Sequence, residues 1–411
     1  MEPIVERACG LDVHQKTVVA CVIVGTASSK PTKEVRTFGT VLGELGELRE
    51  WLQEQGVTHV GMESTGVYWK PVYTVLEDAG LELIVGNAHH IKNVPGRKTD
   101  VRDAEWIADL VRHGLIAKSF VPPKPIRELR ELMRYHRKLV ELRSGERNRL
   151  LKLLETANIK LSSVATDVFG KSGMAMLEAI AGGQDSGEEL AELAHALLKK
   201  KKAQLRKALD GRVADHHRFL LRMQLDRIRA IDHDLANLDA YVEAKMEPYV
   251  SQQRALEAIP GVGTYSARAL IAEIGVDMSV FGNEHRLAAW AGVCPGNHES
   301  AGRRLSGRTR KGNAHLRTTL VEASMAAVRK KGCYLRAKYH RLKPRLGVRR
   351  ALVAIAHKVL IAAFRILADG TIYQDLGEAY LDTLSKARTS RHLVRRLESL
   401  GFRVTIEPNA A

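Results

Sequence analysis

The chain carries acidic side chains at positions where carboxylates could do phosphoryl chemistry. Asp100 and Asp103 follow a Pro-Gly turn and open an apolar, helix-periodic stretch. Residues three apart share one face of a helix, so both carboxylates would point the same way. Acids in a first helical turn also serve as capping charge, and Thr99 is a fair N-cap for this helix. The pair alone therefore leaves a catalytic role and a capping role open.

Two further acids lie on predicted strands upstream. Asp12 falls inside the first of two β-branched runs that read as a β-hairpin over residues 4–25. Glu63 follows a buried-strand pattern over residues 57–62. A helical stretch covers residues 42–54, and a later strand pattern covers residues 81–85. Alternating strands and helices predict an α/β domain with parallel crossovers, in which sites gather at the carboxyl ends of strands. We therefore expect the four acids to converge on one point.

Four carboxylates cannot all ionise close together without cations to compensate them. Oxygen-rich acidic clusters suit Mg²⁺ or Mn²⁺. Two such ions support in-line phosphoryl transfer by clamping the attacking and leaving oxygens. The order of the acids, a strand Asp, a strand-end Glu and a late helical Asp pair, resembles the DEDD version of the RNase H-like, RuvC-type nuclease domain. We assign residues 1–121 to this domain, with metal ligands at Asp12, Glu63, Asp100 and Asp103.

A proline-rich break at residues 122–125 separates this domain from a helical spacer, residues 122–250. Helical patterns cover residues 126–160 and 187–244. The second ends in apolar residues spaced alternately three and four apart, which is typical of a coiled-coil seam. The seam residues are Ile228, Ile231, Leu235, Leu238 and Val242. The pattern fits an internal two-helix hairpin and a dimerisation helix equally well.

The third region, residues 251–370, opens with a helix, a Pro-Gly-Val-Gly turn and an Ala-rich helix. This order resembles a helix-hairpin-helix, in which Gly261 and Gly263 would let backbone N–H groups approach a phosphate. A plain helix-helix turn is the alternative. We expect a mostly α-helical C-terminal domain here, followed by a mixed tail over residues 371–411.

The formal charge of +17 is unusual for a soluble protein and indicates a polyanionic partner, most often nucleic acid. Between His298 and Arg350 there are 16 Lys and Arg against 2 acids. Such a one-sided run favours phosphate contact over a merely solvated face. We predict a loop here whose nucleic-acid contacts are Arg303, Arg304, Arg308, Arg310, Lys311, Asn313 and Arg317.

Composition excludes several classes of protein. The four cysteines are scattered and include no CxxC pair, which argues against a disulfide framework and a cysteine-based zinc site. The N-terminus lacks signal-peptide order, and we expect no apolar run of membrane-spanning length. The sequence predicts a soluble cytoplasmic protein with no membrane partner.

Five motifs, taken together, resemble those of the DEDD/serine transposases of bacterial insertion sequences, recombinases that are guided by a structured bridge RNA. The resemblance covers about residues 5–370. The motifs are GLDVHQ, GMESTGVYW and KTDVRDAEWIADL in the N-terminal part, and IPGVGTYSARALIAEIG and LAAWAGVCPGNHESAGRRLSGRTRKGNAHLR in the C-terminal part.

The resemblance implies roles that spacing alone does not give. Asp12, Glu63, Asp100 and Asp103 fall on the family's acidic tetrad. Ser300 falls on its nucleophilic serine, which forms a transient phosphoserine link with a DNA strand. The family pattern there is often Ser-Ser-Gly, whereas this chain reads Ser300-Ala301-Gly302, and Ser306 is the nearby alternative.

The resemblance also implies partners. Family members work as dimers that pair into a tetramer, with the acidic domain of one subunit completing the serine site of another. A bridge RNA base-pairs with donor and target DNA. A Mg²⁺ ion held by the tetrad would lower the pKa of the serine hydroxyl, which is a poor nucleophile by itself.

Three functions are compatible with these residues. The leading one is a DNA transposase, or site-specific recombinase, that uses Mg²⁺ and Ser300. The second is a RuvC-type hydrolytic junction nuclease, in which the acids cut with water and Ser300 only contacts phosphate. The third is a non-catalytic nucleic-acid-binding protein, in which the acids are caps and loop residues.

Overall fold

The two β-branched runs near the start of the chain form adjacent strands of a five-stranded sheet. In the computed structural model, β1 (Arg7–Val13) pairs antiparallel with β2 (Thr17–Val24), and β2 pairs antiparallel with β3 (Thr32–Gly39). On its other side β1 pairs parallel with β4 (His59–Glu63), and β4 pairs parallel with β5 (Glu82–Gly86). The strand order β3-β2-β1-β4-β5 is compatible with the predicted RNase H-like domain.

The structure describes residues 2–28, 30–92, 94, 103–296, 298–384 and 386–407. The chain divides into two compact units, residues 1–121 and 122–411. A mixed sheet in the first unit and a mostly helical second unit confirm the predicted fold class at this level. The finer boundaries at residues 250 and 370 stay predictions.

Helices cover both faces of the sheet in the first unit. The helices are α1 (Leu42–Glu54), α2 (Trp69–Leu76), α3 (Ala88–Lys92) and α4 (Asp103–Arg112). On one face Leu11 and Met62 lie in a buried cluster with Leu48 of α1 and Leu76 of α2. The other face packs on the apolar side of α4, as Ala8 does on Ile107 and its neighbours. Strands covered on both sides explain why their sequences read as nearly continuous apolar runs.

The second unit begins with the long helix α5 (Lys124–Thr156) and returns along a second long helix, α10 (Asp215–Met246). A group of short helices connects their far ends around a common apolar core. These helices are α6 (Leu161–Val164), α7 (Lys171–Gly182), α8 (Gly187–Glu192), a 3₁₀ helix (Ala196–Lys201) and α9 (Lys202–Leu209). The predicted single helical region over residues 187–244 is therefore broken before Asp215.

The predicted coiled-coil seam lies on α10 and faces the interior of the same chain. Ile228, Leu235 and Val242 are buried, and α10 packs along α5. Of the two alternatives that the heptad-like spacing left open, the structure shows the internal helix pair.

The rest of the second unit is helical apart from one short hairpin. A 3₁₀ turn (Glu247–Tyr249) leads into α11 (Val250–Glu257), α12 (Thr264–Ile274) and α13 (Glu284–Trp290), and the hairpin strands are β6 (His298–Ser300) and β7 (Arg303–Ser306). The helices that follow are α14 (Ala314–Ala327), α15 (Tyr334–Asp369), α16 (Tyr380–Thr383) and α17 (Lys386–Glu398).

Helix α15 differs from the expectation that no apolar run has membrane-spanning length. It is long and apolar enough to cross a membrane by length and composition, although about half of its apolar stretch is buried inside the protein. A core helix of a soluble protein passes the same test, so this is weak evidence for a membrane span. The four cysteines are free thiols, as their spacing predicts.

Candidate functional site

Asp12 and Glu63 lie at the carboxyl ends of two neighbouring parallel strands. The ladder between β1 and β4 pairs Leu11 with Met62, so its next step sets Asp12 beside Glu63. Adjacent strands lie about 4.8 Å apart. Both residues are half-buried. The strand register alone therefore brings two of the four predicted acids together.

Both side chains belong to the face of the sheet that α4 covers. Successive side chains alternate across a strand, so Asp12 shares the face of Gly10, and Glu63 shares that of Gly61. A Cβ atom at Gly10 would lie 2.2 Å from the Ala108 nitrogen of α4, and one at Gly61 would lie 3.1 Å from Ile107. Glycine is required at both positions because α4 approaches the strands so closely.

The direction of α4 brings Asp103 to the same end of the sheet. Its last residue, Arg112, accepts hydrogen bonds from the amides of Ile4 and Val5, 2.9 and 3.1 Å away, just before β1 begins. Helix α4 therefore runs antiparallel to β1, and Asp103 at its other end lies toward the carboxyl end of β1. Asp103 is exposed. Asp12, Glu63 and Asp103 thus lie toward the same end of the sheet.

The fourth predicted acid, Asp100, lies outside the described residues, as does the predicted N-cap Thr99. Among the described acids, Asp12 contacts His14 through Oδ2 and Nε2, 3.1 Å apart, and Glu63 accepts a hydrogen bond from the Thr65 hydroxyl. Within the described part of the chain no three His, Cys, Asp or Glu side chains are arranged to hold a metal ion. The donor set of carboxylates still fits a hard cation such as Mg²⁺ in its chemistry.

Ser300 lies on a β-hairpin, where the sequence predicted a loop. It is the last residue of β6 and pairs with Arg303 across a two-residue turn. Ala301 and Gly302 in that turn have positive φ values of 47° and 73°, as a type I′ hairpin turn requires. The strands are only three and four residues long, so the sequence shows no alternation of apolar and polar residues that would predict them.

The two candidate serines differ in their surroundings. Ser300 is exposed near the tip of the hairpin, and its hydroxyl has no hydrogen-bond partner among the described side and main chains. Ser306 ends β7 near the base, and its Oγ accepts a hydrogen bond from the Arg308 amide, 3.1 Å away. Both serines are exposed, but the Ser306 hydroxyl helps to shape the chain after β7, whereas that of Ser300 has no such contact among the described residues.

Several predicted phosphate-binding residues surround this hairpin. Arg303, Arg308, Arg310 and Lys311 are exposed, and Arg317 in the first turn of α14 is half-buried. The backbone of Arg304 lies opposite Glu299 in the hairpin, and its side chain is outside the described part. Exposed cations beside an accessible hydroxyl suit the approach of a phosphodiester.

Asn313 has a different environment from the one predicted. Its Oδ1 accepts a hydrogen bond from the Leu316 amide and so caps α14, while its Nδ2 donates to Glu273 at 2.6 Å. Both polar atoms of the Asn313 side chain therefore form hydrogen bonds within the protein. The sequence pattern placed Asn313 among nucleic-acid contacts because it lies within the basic run.

The predicted Pro-Gly-Val-Gly turn does join two helices, α11 and α12, and its two glycines differ. A Cβ atom at Gly261, where φ is 87°, would lie 2.1 Å from the Ala323 carbonyl oxygen of α14. Gly263 is the N-cap of α12, and a Cβ atom there would meet nothing within 4 Å. Close packing accounts for Gly261, and only Gly263 leaves room for a phosphate at the helix N-terminus.

A buried ionic network, which sequence reasoning missed, supports the base of the hairpin. Glu273, near the end of α12, is 4% exposed. Arg134 of α5 donates to both of its carboxylate oxygens, at 2.7 and 2.9 Å, and Asn313 donates to one of them. Arg130 donates to the carbonyl oxygens of Ala272 and Glu273 at 3.1 and 2.7 Å. The network thus connects α5, α12 and the start of α14.

The charge state of Glu273 follows from these partners. Burial acts to raise the pKa of its carboxyl, but the hydrogen bonds and charges of Arg134, the charge of Arg130 and the hydrogen bond of Asn313 outweigh it. The pKa of Glu273 is therefore held below its ordinary value. Long-range partners such as these leave no local pattern in the sequence.

Comparison with known families gives one match for the part of the chain with the predicted acids and another for the part with Ser300. Residues 9–159 match the DEDD transposase family model of IS110, and residues 253–340 match the transposase model of the IS116/IS110/IS902 family. The first match contains all four predicted acids, and the second contains Ser300 and the basic hairpin. The chain belongs to the IS110/IS116/IS902 family of transposases.

Two similar proteins that are described as transposases agree with that assignment. A protein of Pseudomonas aeruginosa, described as a probable family 20 transposase, is 33% identical over 111 residues, which are 27% of this chain and 32% of the relative. The Sinorhizobium fredii protein described as transposase y4pF/y4sB is 27% identical over 288 residues, 67% of this chain and 64% of the relative. The chain thus matches about one third and just under two thirds of these relatives' lengths.

Proposed function

We propose that the protein is a DNA transposase of an insertion sequence that cuts and rejoins DNA strands through a phosphoserine at Ser300. The observation that carries this proposal is the exposed Ser300 hydroxyl at the tip of an arginine-rich hairpin, in a stretch that matches the family model. An exposed hydroxyl beside a tight turn is accessible to a DNA backbone.

In the proposed reaction the Ser300 Oγ attacks the phosphorus of a DNA phosphodiester. A new Oγ–P bond forms, the serine proton is lost to a base, and the bond from phosphorus to one sugar oxygen breaks. That sugar oxygen leaves and takes up a proton. Attack of another strand's hydroxyl on the phosphoserine reverses these steps and rejoins DNA. Arg303, Arg308 and Lys311 would stabilise the charge that develops on the phosphoryl oxygens.

Asp12, Glu63, Asp100 and Asp103 would hold Mg²⁺ or Mn²⁺ at the carboxyl edge of the sheet. A bound divalent ion would supply Lewis-acid stabilisation of the phosphoryl group and would lower the pKa of an attacking hydroxyl. His14 orients the Asp12 carboxylate, and the Thr65 hydroxyl orients that of Glu63. These contacts prepare both carboxylates to act as oxygen ligands.

We infer the remaining partners from the family resemblance and from charge. The excess of cations suits two polyanions, a donor or target DNA and a bridge RNA that selects it by base pairing. The protein would act in the bacterial cytoplasm as a dimer that pairs into a tetramer.

The second candidate function is a RuvC-type nuclease that hydrolyses a DNA junction with water. The position of Asp12, Glu63 and Asp103 toward one end of the sheet is the observation in its favour, because hydrolysis with water needs no serine. A non-catalytic nucleic-acid-binding protein, in contrast, gives these three acids no shared role.

The test is strand cleavage by Glu63→Gln in the presence of Mg²⁺. We expect cleavage to fall at least about 100-fold while DNA binding stays near that of the wild type, because the change removes a charge without altering shape. Glu82→Gln is the matched control, because Glu82 begins β5 at the opposite end of the same sheet and pairs with Lys118. Parallel loss of binding and cleavage in Glu63→Gln would contradict a catalytic role.

A further inference from the structure

Helix α15, up to its last residue Asp369, and the chain just before it are rich in cations and lack acids. Between residues 323 and 368 there are 12 Lys and Arg and no Asp or Glu. Elsewhere in the second unit many cations are paired, as Arg134 is with Glu273. Among the described residues, the ion pair of α15 is that of Arg365 with Glu284, near the end of the helix. Within the described part of the chain, the other cations of α15 therefore form no ion pair that would stabilise the fold.

Some of these cations lie on either side of a bend in α15. Gly347 has φ 75° and ψ 168°, values outside the helical region, so α15 consists of two helical segments that meet at this residue. Lys338, Arg341 and Arg345 are spaced three and four residues apart and share one face of the first segment. Lys358 lies on the second segment. These four residues are here named the α15 cation cluster.

The members of the cluster act on one another. Burial lowers the pKa of the half-buried Lys338, and the charges of Lys358, Arg341 and Arg345 lower it further. Within the described chain the charged groups that shift this pKa are all cations. Lys358 adds to this positive charge although 20 residues separate it from Lys338 in the sequence. Like charges held together in this way oppose folding unless an anion binds them.

The rest of the cluster is open to solvent. Arg341, Arg345 and Lys358 are exposed, and Arg341 Nη1 donates to the Leu381 carbonyl oxygen at 2.8 Å, which orients its guanidinium group. From Lys338 to Arg345 the helix rises about 10 Å. This length matches about three nucleotide steps of one DNA strand, at about 3.4 Å each.

We propose that the α15 cation cluster is a binding site for the phosphate backbone of duplex DNA, separate from the Ser300 hairpin. The inference rests on the proposed function, in which DNA is the substrate. The cluster would hold a flanking stretch of the duplex without reading its sequence, because backbone contacts position DNA and base contacts specify it.

The test compares two double variants of the full-length protein, with labelled duplex DNA, chelator and a range of salt concentrations. Lys338→Gln/Arg345→Gln removes two charges from the cluster. Lys138→Gln/Lys152→Gln, on the exposed side of α5, is the matched control. Each lost phosphate contact should reduce the slope of log K against log salt by about 0.9, so we expect a reduction of about 2 in the cluster variant. The control variant should keep the wild-type slope.

Thermal unfolding without DNA provides the second measurement. Lys338→Gln should keep or raise the midpoint temperature, because it removes repulsion, whereas a structural lysine would lower it when replaced. A lowered midpoint, an unchanged slope, or equal slope changes in both double variants would overturn the proposal. If the cluster variant binds an RNA hairpin more weakly than the wild type but binds duplex DNA equally well, the assignment to DNA would be wrong.

The same titration separates this inference from the proposed function. If wild-type protein shows no salt-dependent binding of duplex DNA, the proposed function fails together with the cluster. If wild-type protein binds DNA and the cluster variant binds with the same slope, only the cluster assignment fails.

Discussion

The acids of the first unit and the serine of the second are held by different means. Asp12 and Glu63 end central strands whose positions are fixed by backbone pairing on both sides. Ser300 lies on a hairpin of two short strands, and such a pair is marginally stable in isolation. The acidic edge is thus placed by main-chain structure, whereas the serine depends on whatever supports the base of its hairpin.

That support is a set of side-chain and backbone contacts. Gly292 and Gly312 approach so closely that a Cβ atom at Gly292 would lie 2.9 Å from the Gly312 nitrogen. The Gly296 amide donates to the Arg308 carbonyl oxygen at 3.0 Å. Asn313, next in the chain, is bound to Glu273. Substitutions far from Ser300 can therefore disturb it, which is not expected for Asp12 or Glu63.

The largest expected effect on stability comes from Glu273→Ala. It leaves Arg134 and Arg130 without their shared acid, and removal of one partner from a buried ion pair costs about 3 kcal/mol or more. Hydrogen exchange followed by mass spectrometry should show faster exchange in α12 and α14. Peptides of β1 and β4 should exchange as in the wild type, because the first unit does not contain this network.

Glu322→Ala is the matched control, since Glu322 pairs with Arg137 but is half-exposed, and such pairs contribute about 1 kcal/mol or less. The stabilisation by ionised Glu273 is present above the carboxyl pKa of the unfolded chain. It is lost as pH falls through the lower pKa of the folded state. Equal exchange in Glu273→Ala and the wild type would show that the hairpin does not depend on this network.

A smaller effect should separate the two glycines of the turn between α11 and α12. Gly261→Ala should destabilise the second unit by about 2 kcal/mol, because its Cβ would meet backbone atoms of α14 and its φ of 87° disfavours alanine. Gly263→Ala should change stability by only about 0.5 kcal/mol, since its surroundings are open.

Thermal or denaturant unfolding of both glycine variants measures this difference. The Gly263→Ala variant, being folded, can then be tested for DNA binding, where weaker binding would support a phosphate at the N-terminus of α12. Similar stability losses in both variants would mean that the open surroundings of Gly263 are also packed in solution.

The sequence predicted those parts of the fold that local pattern controls. Strands β1, β2, β4 and β5 and helix α1 lie close to their predicted positions, because apolar runs and helix periodicity mark them directly. Strand β3 was missed. It is the edge strand, and its residues Thr32–Gly39 are mostly exposed or half-buried, so no apolar run revealed it.

Contacts between distant residues could not be predicted in the same way. The spacing of the α10 seam fits an internal helix pair and a dimerisation helix equally well. The packing of α5 along α10 cannot be recognised from that spacing. The Glu273 network joins residues more than 100 positions apart in the case of Arg134. The positions of Asp12 and Glu63 at one edge could be predicted because parallel strands bring their carboxyl ends together, whereas the convergence of all four acids on one metal site stays a prediction.

The central claim is that Ser300 forms a covalent bond to DNA, and a denaturing gel tests it most directly. Purified protein, its co-expressed RNA and a labelled DNA junction are incubated with Mg²⁺, beside the Ser300→Ala and Ser306→Ala variants. We predict a protein-linked DNA band in the wild type and in Ser306→Ala that is absent from Ser300→Ala. Free DNA ends without a protein-linked band in any of the three proteins would contradict the claim and favour hydrolysis by the acidic edge.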